Sequence, residues 1–591
     1  MADDMYSRAT ALRNFLVNLI VHGLIITFCF YVAGLLNVFF LRGMDSLKIV
    51  LQRDLFTQFL LSKYELSKNW TALFSNLDKI SLYYGFFIKI TLCTLSPFLV
   101  YIGVIFKYRD VIFSWRPFKQ QENQHGNAHW ATEREVKKMG LRSKKGMLLG
   151  VYKGKYLIEY SFQHALLFAP TGSGKGVGFV IPNLLFWDES VIVHDVKAEN
   201  YEKTSGYRFQ VLKQKVFVWN PSDQDGITHC YNPMDWVSKD AGGLVDDVQK
   251  ITKFLLPKQE FWENEARAFT QGIMLYLYAD DSKPKSLGQV LREMKSDDVA
   301  YNLAVILDTM GNKMHPVAYM NIAAFLQKAE KERSGVCSTA TSALELWSNP
   351  FVDTATSKSH FNLRKFRITP HSLYVCISPN NIERLKPLLQ IFYQQCTSIY
   401  TAKLPDPKIE KLGVMMLLDE FPTLGKMEEI RMGIAFYRGY KVKLFLIVQD
   451  TEQLKATYEA SGMNSFLANS TYRITFAANN NDTAKLISDL LGNKTIYNEN
   501  YSRPKYLDLN PSSRNVSVSK QSRALLLPQE VIGLPRDEEI ILIESRAPIK
   551  CKKIFYYKDS FFTKKLLPKS VVPKQEQNIV STSKKKADDN K

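Results

Sequence analysis

Two stretches near the amino terminus are almost wholly apolar, residues 15–41 and residues 80–106, the second broken by one charge, Lys89. Each is long enough to cross a bilayer as a helix, and a lysine near one end can reach the headgroups. The first is too long for a cleaved signal peptide, and no small-residue cleavage site follows it. A buried core helix stays open as the alternative for the second. Basic residues do not orient the pair. Arg8, Arg13, Lys107, Arg109, Arg116 and Lys119 flank the spans, and the intervening loop carries Arg42, Lys48, Arg53, Lys63, Lys68 and Lys79.

From about residue 126 the texture changes to that of a folded body. Short buried-strand runs are expected at 165–168, 191–193, 372–377, 414–418, 443–448 and 472–476. Between the second and third of these, amphipathic helices are expected at 244–256, 261–278, 287–294 and 316–332. This order predicts an α/β domain interrupted by an all-α insertion. The expected divisions are an amino-terminal tail (1–14), a first membrane helix (15–41), an outward loop (42–79), a second membrane helix (80–106) and a juxtamembrane linker (107–125). The nucleotide-binding domain follows in two parts (126–233 and 335–562) around the insertion (234–334), and a disordered Lys-rich tail closes the chain (563–591).

The formal net charge of +19 favours anionic partners such as nucleic acid, acidic protein patches or anionic lipid. Residues 116–155, with ten Lys/Arg against three Glu, form either a lipid-facing basic stripe or a solvated connector. The seven cysteines show no metal-ligand spacing and read as reduced, mostly buried thiols.

The strongest local chemistry is Ala169-Pro170-Thr171-Gly172-Ser173-Gly174-Lys175-Gly176. It lies between a strand run and a helix run, the context a phosphate-binding loop requires. Gly172 and Gly174 permit the curl that turns successive backbone N–H groups inward, and Lys175 can reach β- and γ-phosphates. Ala169 replaces the usual first glycine. Gly176 replaces the Ser or Thr whose hydroxyl usually ligates magnesium. The apolar run 414–418 ends in Asp419 and Glu420, at the strand end that faces a ligand crevice. Asp419 would hold magnesium through water, and Glu420 would act as general base on the attacking water. Gln449 ends another run, where it resembles the polar residue that reports the γ-phosphate in motor ATPases; the alternative is an amide that satisfies the next turn. Asp195, after the run 191–193, would pair with Lys197 or touch the nucleotide from the side, and His194 reads as a packing residue.

The chain resembles the TraG-type coupling ATPases of type IV secretion systems. The carrying segments are His125 to Trp130, the loop 169–178, Asp195 to Asn200, Thr204 to Arg208, Lys331 to Gly335, Leu418 to Pro422 and Val448 to Asp450. The resemblance covers roughly residues 116–545. It implies a RecA-like P-loop motor domain with an all-α insertion, anchored by two transmembrane helices at the bacterial inner membrane and assembled as a hexamer that binds ATP and Mg2+ between subunits. An arginine from the neighbouring subunit would then stabilise charge on the γ-phosphate. Arg438 best matches that position, with Arg431 and Arg473 as alternates. The implied partners are inner-membrane components of the secretion channel and either a relaxosome DNA–protein complex or effector proteins, with sequence-tolerant contacts to nucleic acid. Two other readings compete: an FtsK-like DNA translocase, and a membrane docking scaffold that binds nucleotide without hydrolysing it.

Overall fold

The computed structural model describes residues 2–76, 84–107, 125–501 and 516–576. It divides into an amino-terminal unit, residues 1–122, and a larger unit from Asn123 onward.

The amino-terminal unit is helical: α1 (Ala2–Arg42), α2 (Met44–Leu51), α3 (Leu55–Ser75) and α4 (Tyr84–Lys107). Within it, Leu19–Arg42 (24 residues) and Tyr84–Ile105 (22 residues) are long and apolar enough to cross a membrane. Lys89 is exposed in the first turns of α4. The stretch expected as an outward loop is itself helical and returns alongside α1. A Cβ at Gly34 would lie 2.5 Å from Ser62 O, so only glycine permits this approach. Polar groups tie the bundle together. Arg42 pairs with Glu65 at 2.9 Å, the Trp70 indole donates to Thr94 Oγ1 at 3.2 Å, and Asn37 is buried between Ala33 O and Thr94. Most of the expected linker, residues 108–124, lies outside the described residues.

The larger unit is built on β1 (Met147–Tyr152), β2 (Lys155–Glu159), β3 (Ala165–Phe168), β4 (Ser190–Asp195), β5 (Lys215–Trp219), β6 (His371–Cys376), β7 (Val414–Leu418), β8 (Val442–Val448), β9 (Tyr472–Thr475), β10 (Asn493–Tyr501), β11 (Val516–Ala524), β12 (Glu538–Ile543) and β13 (Ile549–Lys552). Eleven of these form one sheet, in the order β2-β1-β13-β12-β9-β3-β8-β7-β4-β6-β5. The run from β9 to β5 is parallel, and the four strands beyond β9 are antiparallel. Strands β3, β4, β6, β7 and β8 are buried along their whole length, as strands covered on both faces must be. Alternate residues enter two cores. Leu166, Phe168, Met416, Leu418, Leu444 and Leu446 face one layer. Ala165, Leu167, Met415, Leu417, Phe445 and Ile447 face the other. The first core is continuous with the helical insertion, so the insertion and one face of the sheet are a single packed body. The pair β10–β11 stands apart as a hairpin.

Two expected boundaries shift. The insertion is helical well beyond residue 334, because helix Glu330–Ala343 runs through that point and helical turns continue to Leu363–Arg367 before β6 begins. The helix expected at 316–332 is two helices, Pro316–Gln327 and Glu330–Ala343. The break is held by Arg333, whose guanidinium donates to the carbonyls of Leu326 (2.9 Å) and Lys328 (3.2 Å) at the end of the first helix.

The expected onset of disorder at residue 563 is also corrected. Residues 564–576 form a strap across the domain. Ser570 N donates to Ser205 Oγ (3.1 Å), Tyr201 OH donates to Ser570 O, and Gln575 N donates to Gly226 O (2.8 Å). Lys564, Lys569 and Lys574 sit on the strap's outer side, Lys565 turns inward to donate to Leu185 O (2.9 Å), and the strap's backbone takes up further partners in the domain. The remainder of the expected tail, residues 577–591, lies outside the described residues.

Candidate functional site: a phosphate loop facing an acidic strand end

Strand β3 ends in the middle of the parallel sheet, and Ala169 N continues the ladder by donating to Val448 O at 2.9 Å. The chain then curls. Gly172 and Gly174 adopt φ of 77° and 85°, the left-handed region that glycine enters without penalty. The helix expected after the loop begins as a π-turn, Gly176–Val180, and continues as Ile181–Phe186. Its first turn is closed by Gly178 N donating to Gly174 O at 2.7 Å.

Strand β7 lies two strands from β3, with β8 between them. Its carboxyl end brings Asp419 and Glu420 to the loop. Lys175 Nζ stands 2.9 Å from Asp419 Oδ1 and 3.0 Å from Glu420 Oε1. Glu420 reaches inward because its backbone is left-handed, φ 52° and ψ 43°. That conformation costs a non-glycine residue on the order of 1–3 kcal/mol. The buried Phe421, stacked on Tyr458, holds it there. Burial alone would lower the Lys175 pKa, but the two carboxylates outweigh it and the net shift is upward. Asp419 lies deeper than Glu420, and burial lifts its carboxyl above the ordinary range despite the lysine.

Loop and carboxylates enclose a cleft of about 280 Å³, lined also by Asp195, Lys197, Glu199 and Asn200. Asp195 does not pair with Lys197. It accepts from Tyr201 N (2.8 Å) and Asn200 Nδ2 (3.2 Å), holding the start of helix Glu199–Gln210. Burial raises its carboxyl to about 7. His194 is fully buried edge-on to Tyr393, and burial lowers it to about 4. Glu199 and Asn200 belong to a segment that carried the family resemblance, but their place in the cleft has no local signature.

The cleft suits a triphosphate with a hard divalent ion. Its donor set is a lysine, a curl of backbone amides and carboxylate oxygens, and the Ser173 hydroxyl is buried in the loop without a protein partner. No group of three or more His, Cys, Asp or Glu gathers as a metal site among the described residues. Magnesium needs none, since it commonly keeps its waters and uses one or two carboxylates plus phosphate oxygens.

Gln449 follows β8 directly, beside the entrance to the loop. Arg438 is elsewhere. It is exposed at the opposite end of β8, before Val442, so the length of that strand separates it from the cleft of its own chain. Arg431 is tied to Glu428 at 2.6 Å. Arg473 lies within β9, half-buried.

Other segments of the resemblance are structural. Arg208 is fully buried and donates to the carbonyls of Leu184, Trp187 and Glu189 and to Ser372 Oγ, all within 2.6–2.8 Å. Gly126, with φ 120°, lets the chain pass Asn493 O, where a Cβ would lie at 2.3 Å.

A mostly parallel sheet with a glycine loop at one strand end and an acidic pair at another is the fold of the RecA-like P-loop proteins. The chain belongs to the type IV secretory system conjugative DNA transfer family, whose profile matches residues 121–578. It is 31% identical to VirD4 of Rhizobium rhizogenes over 496 residues, covering 81% of this chain and 71% of that one. It is 32% identical to VirD4 of Rhizobium radiobacter over 458 residues, and spans 65% of that protein's length. Among solved structures it resembles the plasmid coupling protein TrwB in complex with ADP and Mg2+, with a TM-score of 0.53 and 15% identity, covering 74% of this chain and 96% of that one. At that identity the likeness is one of fold.

Proposed function

We propose that this chain is the membrane-anchored coupling ATPase of a type IV secretion system, recruiting DNA–protein or protein substrates and driving their transfer to the channel. One observation carries the reading: Lys175 of the glycine loop meets both Asp419 and Glu420 in one cleft. Family membership supports the secretion role and does not favour the FtsK-like translocase or the docking scaffold.

In this reading the loop amides from Thr171 to Gly176 and the Lys175 ammonium bind the phosphates of ATP. Moving that ammonium from the carboxylates to β- and γ-phosphate oxygens would leave Glu420 free to accept a proton from water. Asp419 would hold magnesium through water, and the bound ion would supply charge neutralisation to the phosphates. Gln449 stands at the loop entrance, where it can sense the γ-phosphate. Arg438 faces away from its own cleft, and its role is to complete a neighbouring subunit's site in a homohexamer. The two apolar helices anchor the protein in the inner membrane with the nucleotide-binding unit in the cytoplasm, where ATP is available. Channel components and a relaxosome or effector complex are the partners, and contacts to nucleic acid are electrostatic.

The test is ATP turnover and substrate transfer by full-length Lys175→Ala and Glu420→Gln proteins at normal expression. Loss of both activities supports the proposal. Normal transfer by both variants refutes it.

A further inference from the structure

One lysine beneath the glycine loop has no part in the proposed mechanism. Lys553 follows β13, at the root of the carboxyl-terminal strap, and only 5% of its surface is exposed. Its Nζ donates to Ser173 O, in the middle of the loop, at 3.1 Å. The same ammonium lies over the Phe476 ring, 3.6 Å from its centroid. Phe476 is itself fixed to β3, its N–H donating to Phe168 O at 3.0 Å. The Lys553 backbone is pinned by donation to Asp537 O at 2.8 Å. Its stem packs under Gly178, where a Cβ would sit 3.8 Å from Lys553 Cβ and Cδ. The ammonium is therefore held from several sides and aimed at one loop carbonyl.

That carbonyl controls an amide. A trans peptide is planar, with C=O and N–H on opposite sides. Turning Ser173 O down to Lys553 turns the Gly174 N–H the other way, and Gly174 lines the cleft. Gly174 has φ of 85° and no side chain, so little else fixes this peptide plane. Glu539 and Asp537 bear on Lys553 electrostatically, and burial lowers its pKa to about 8.

We infer that Lys553 is a positioning residue for nucleotide binding, locking the Ser173–Gly174 peptide so that the Gly174 amide is presented to phosphate. The inference rests on the proposed ATP site and adds to it a residue from the far end of the chain. Sequence reading does not find it, because it sits in a run of three lysines among four residues, 550–553, with no motif around it.

The experiment uses the full-length protein in detergent, with fluorescent ATP as probe and inorganic tripolyphosphate as competitor, comparing Lys553→Met and Lys553→Arg. A hydrogen bond from a charged group is worth enough to predict about tenfold or greater weakening for Lys553→Met toward both ligands. Thermal stability should stay close to that of the unmodified protein, and Lys553→Arg should stay within about threefold of it, since it keeps a donor. Unchanged affinity in folded Lys553→Met overturns the inference. If Lys553→Met does not fold, Lys553→Gln, which drops the charge and shortens the side chain by one bond, is read instead. Weaker affinity for both ligands than in the unmodified protein and in Lys553→Arg supports the inference, and unchanged affinity overturns it. Absence of ATP and tripolyphosphate binding in the unmodified protein would sink the ATP site itself, a separate result.

Discussion

Lys175 and Glu420 are 245 residues apart in the chain and 3.0 Å apart in space. The contact exists because β3 and β7 run parallel in one sheet, so both chain segments leave it at the same edge. It joins the group proposed to grip phosphate to the group proposed to activate water, and the two should fail differently when altered. Lys175→Ala should lose nucleotide affinity and turnover together. Glu420→Gln should bind ATP and lose turnover by roughly 10²–10⁴-fold, the range for removal of a general base. Equilibrium binding and steady-state hydrolysis, measured on the same preparations, separate the two.

Arg438 lies at the far end of β8 from the cleft, which makes its proposed action intersubunit. Arg438→Ala should lower turnover by roughly 10³-fold or more without weakening ATP binding. Mixing Arg438→Ala with Lys175→Ala subunits should restore part of the activity, since some interfaces then pair an intact loop with an intact arginine. A mixture no more active than its components would place the arginine's role within one chain.

The strap predicts a sharp dependence on where the chain is cut. Ending it after Glu576 should leave the melting temperature unchanged. Ending it after Thr563 removes the partners of Ser205, Tyr201 and Gly226 and should lower the melting temperature by several degrees. Gly206→Ala should do likewise, because its Cβ would lie 2.1 Å from Pro568 O. Circular dichroism melts of the three variants test this.

Asp195 gives the fold a pH dependence. Its carboxyl holds a proton up to about 7, against about 3.9 in an unfolded chain. Between those values the folded state binds more protons, so this group's contribution falls as pH rises from about 4 to about 7 and is flat above. Asp195→Asn should match the nucleotide-free protein near pH 4 and exceed it in melting temperature by a few degrees at pH 8. Equal melting temperatures across that range would show that the carboxyl is not held neutral by the fold.

What the sequence determined by itself is local. The runs 165–168 and 414–418 read as strands because four or five consecutive apolar residues between turn signals are too short for a helix and suit a strand buried on both faces. The glycine loop was legible because its backbone requirement is met by residues adjacent in the chain, and Asp419 and Glu420 because they end such a strand. The tertiary structure alone decided the rest. Helix Glu330–Ala343 erased an expected boundary, since the insertion shares a core with one face of the sheet and has no composition break there. The strap at 564–576 reads as a solvated tail because backbone groups, invisible in a composition, make many of its contacts, and because the inward Lys565 is spelled like an exposed lysine. Lys553 reaches Ser173 only because β13 and β3 belong to one sheet, and a surface lysine and a buried one are spelled alike.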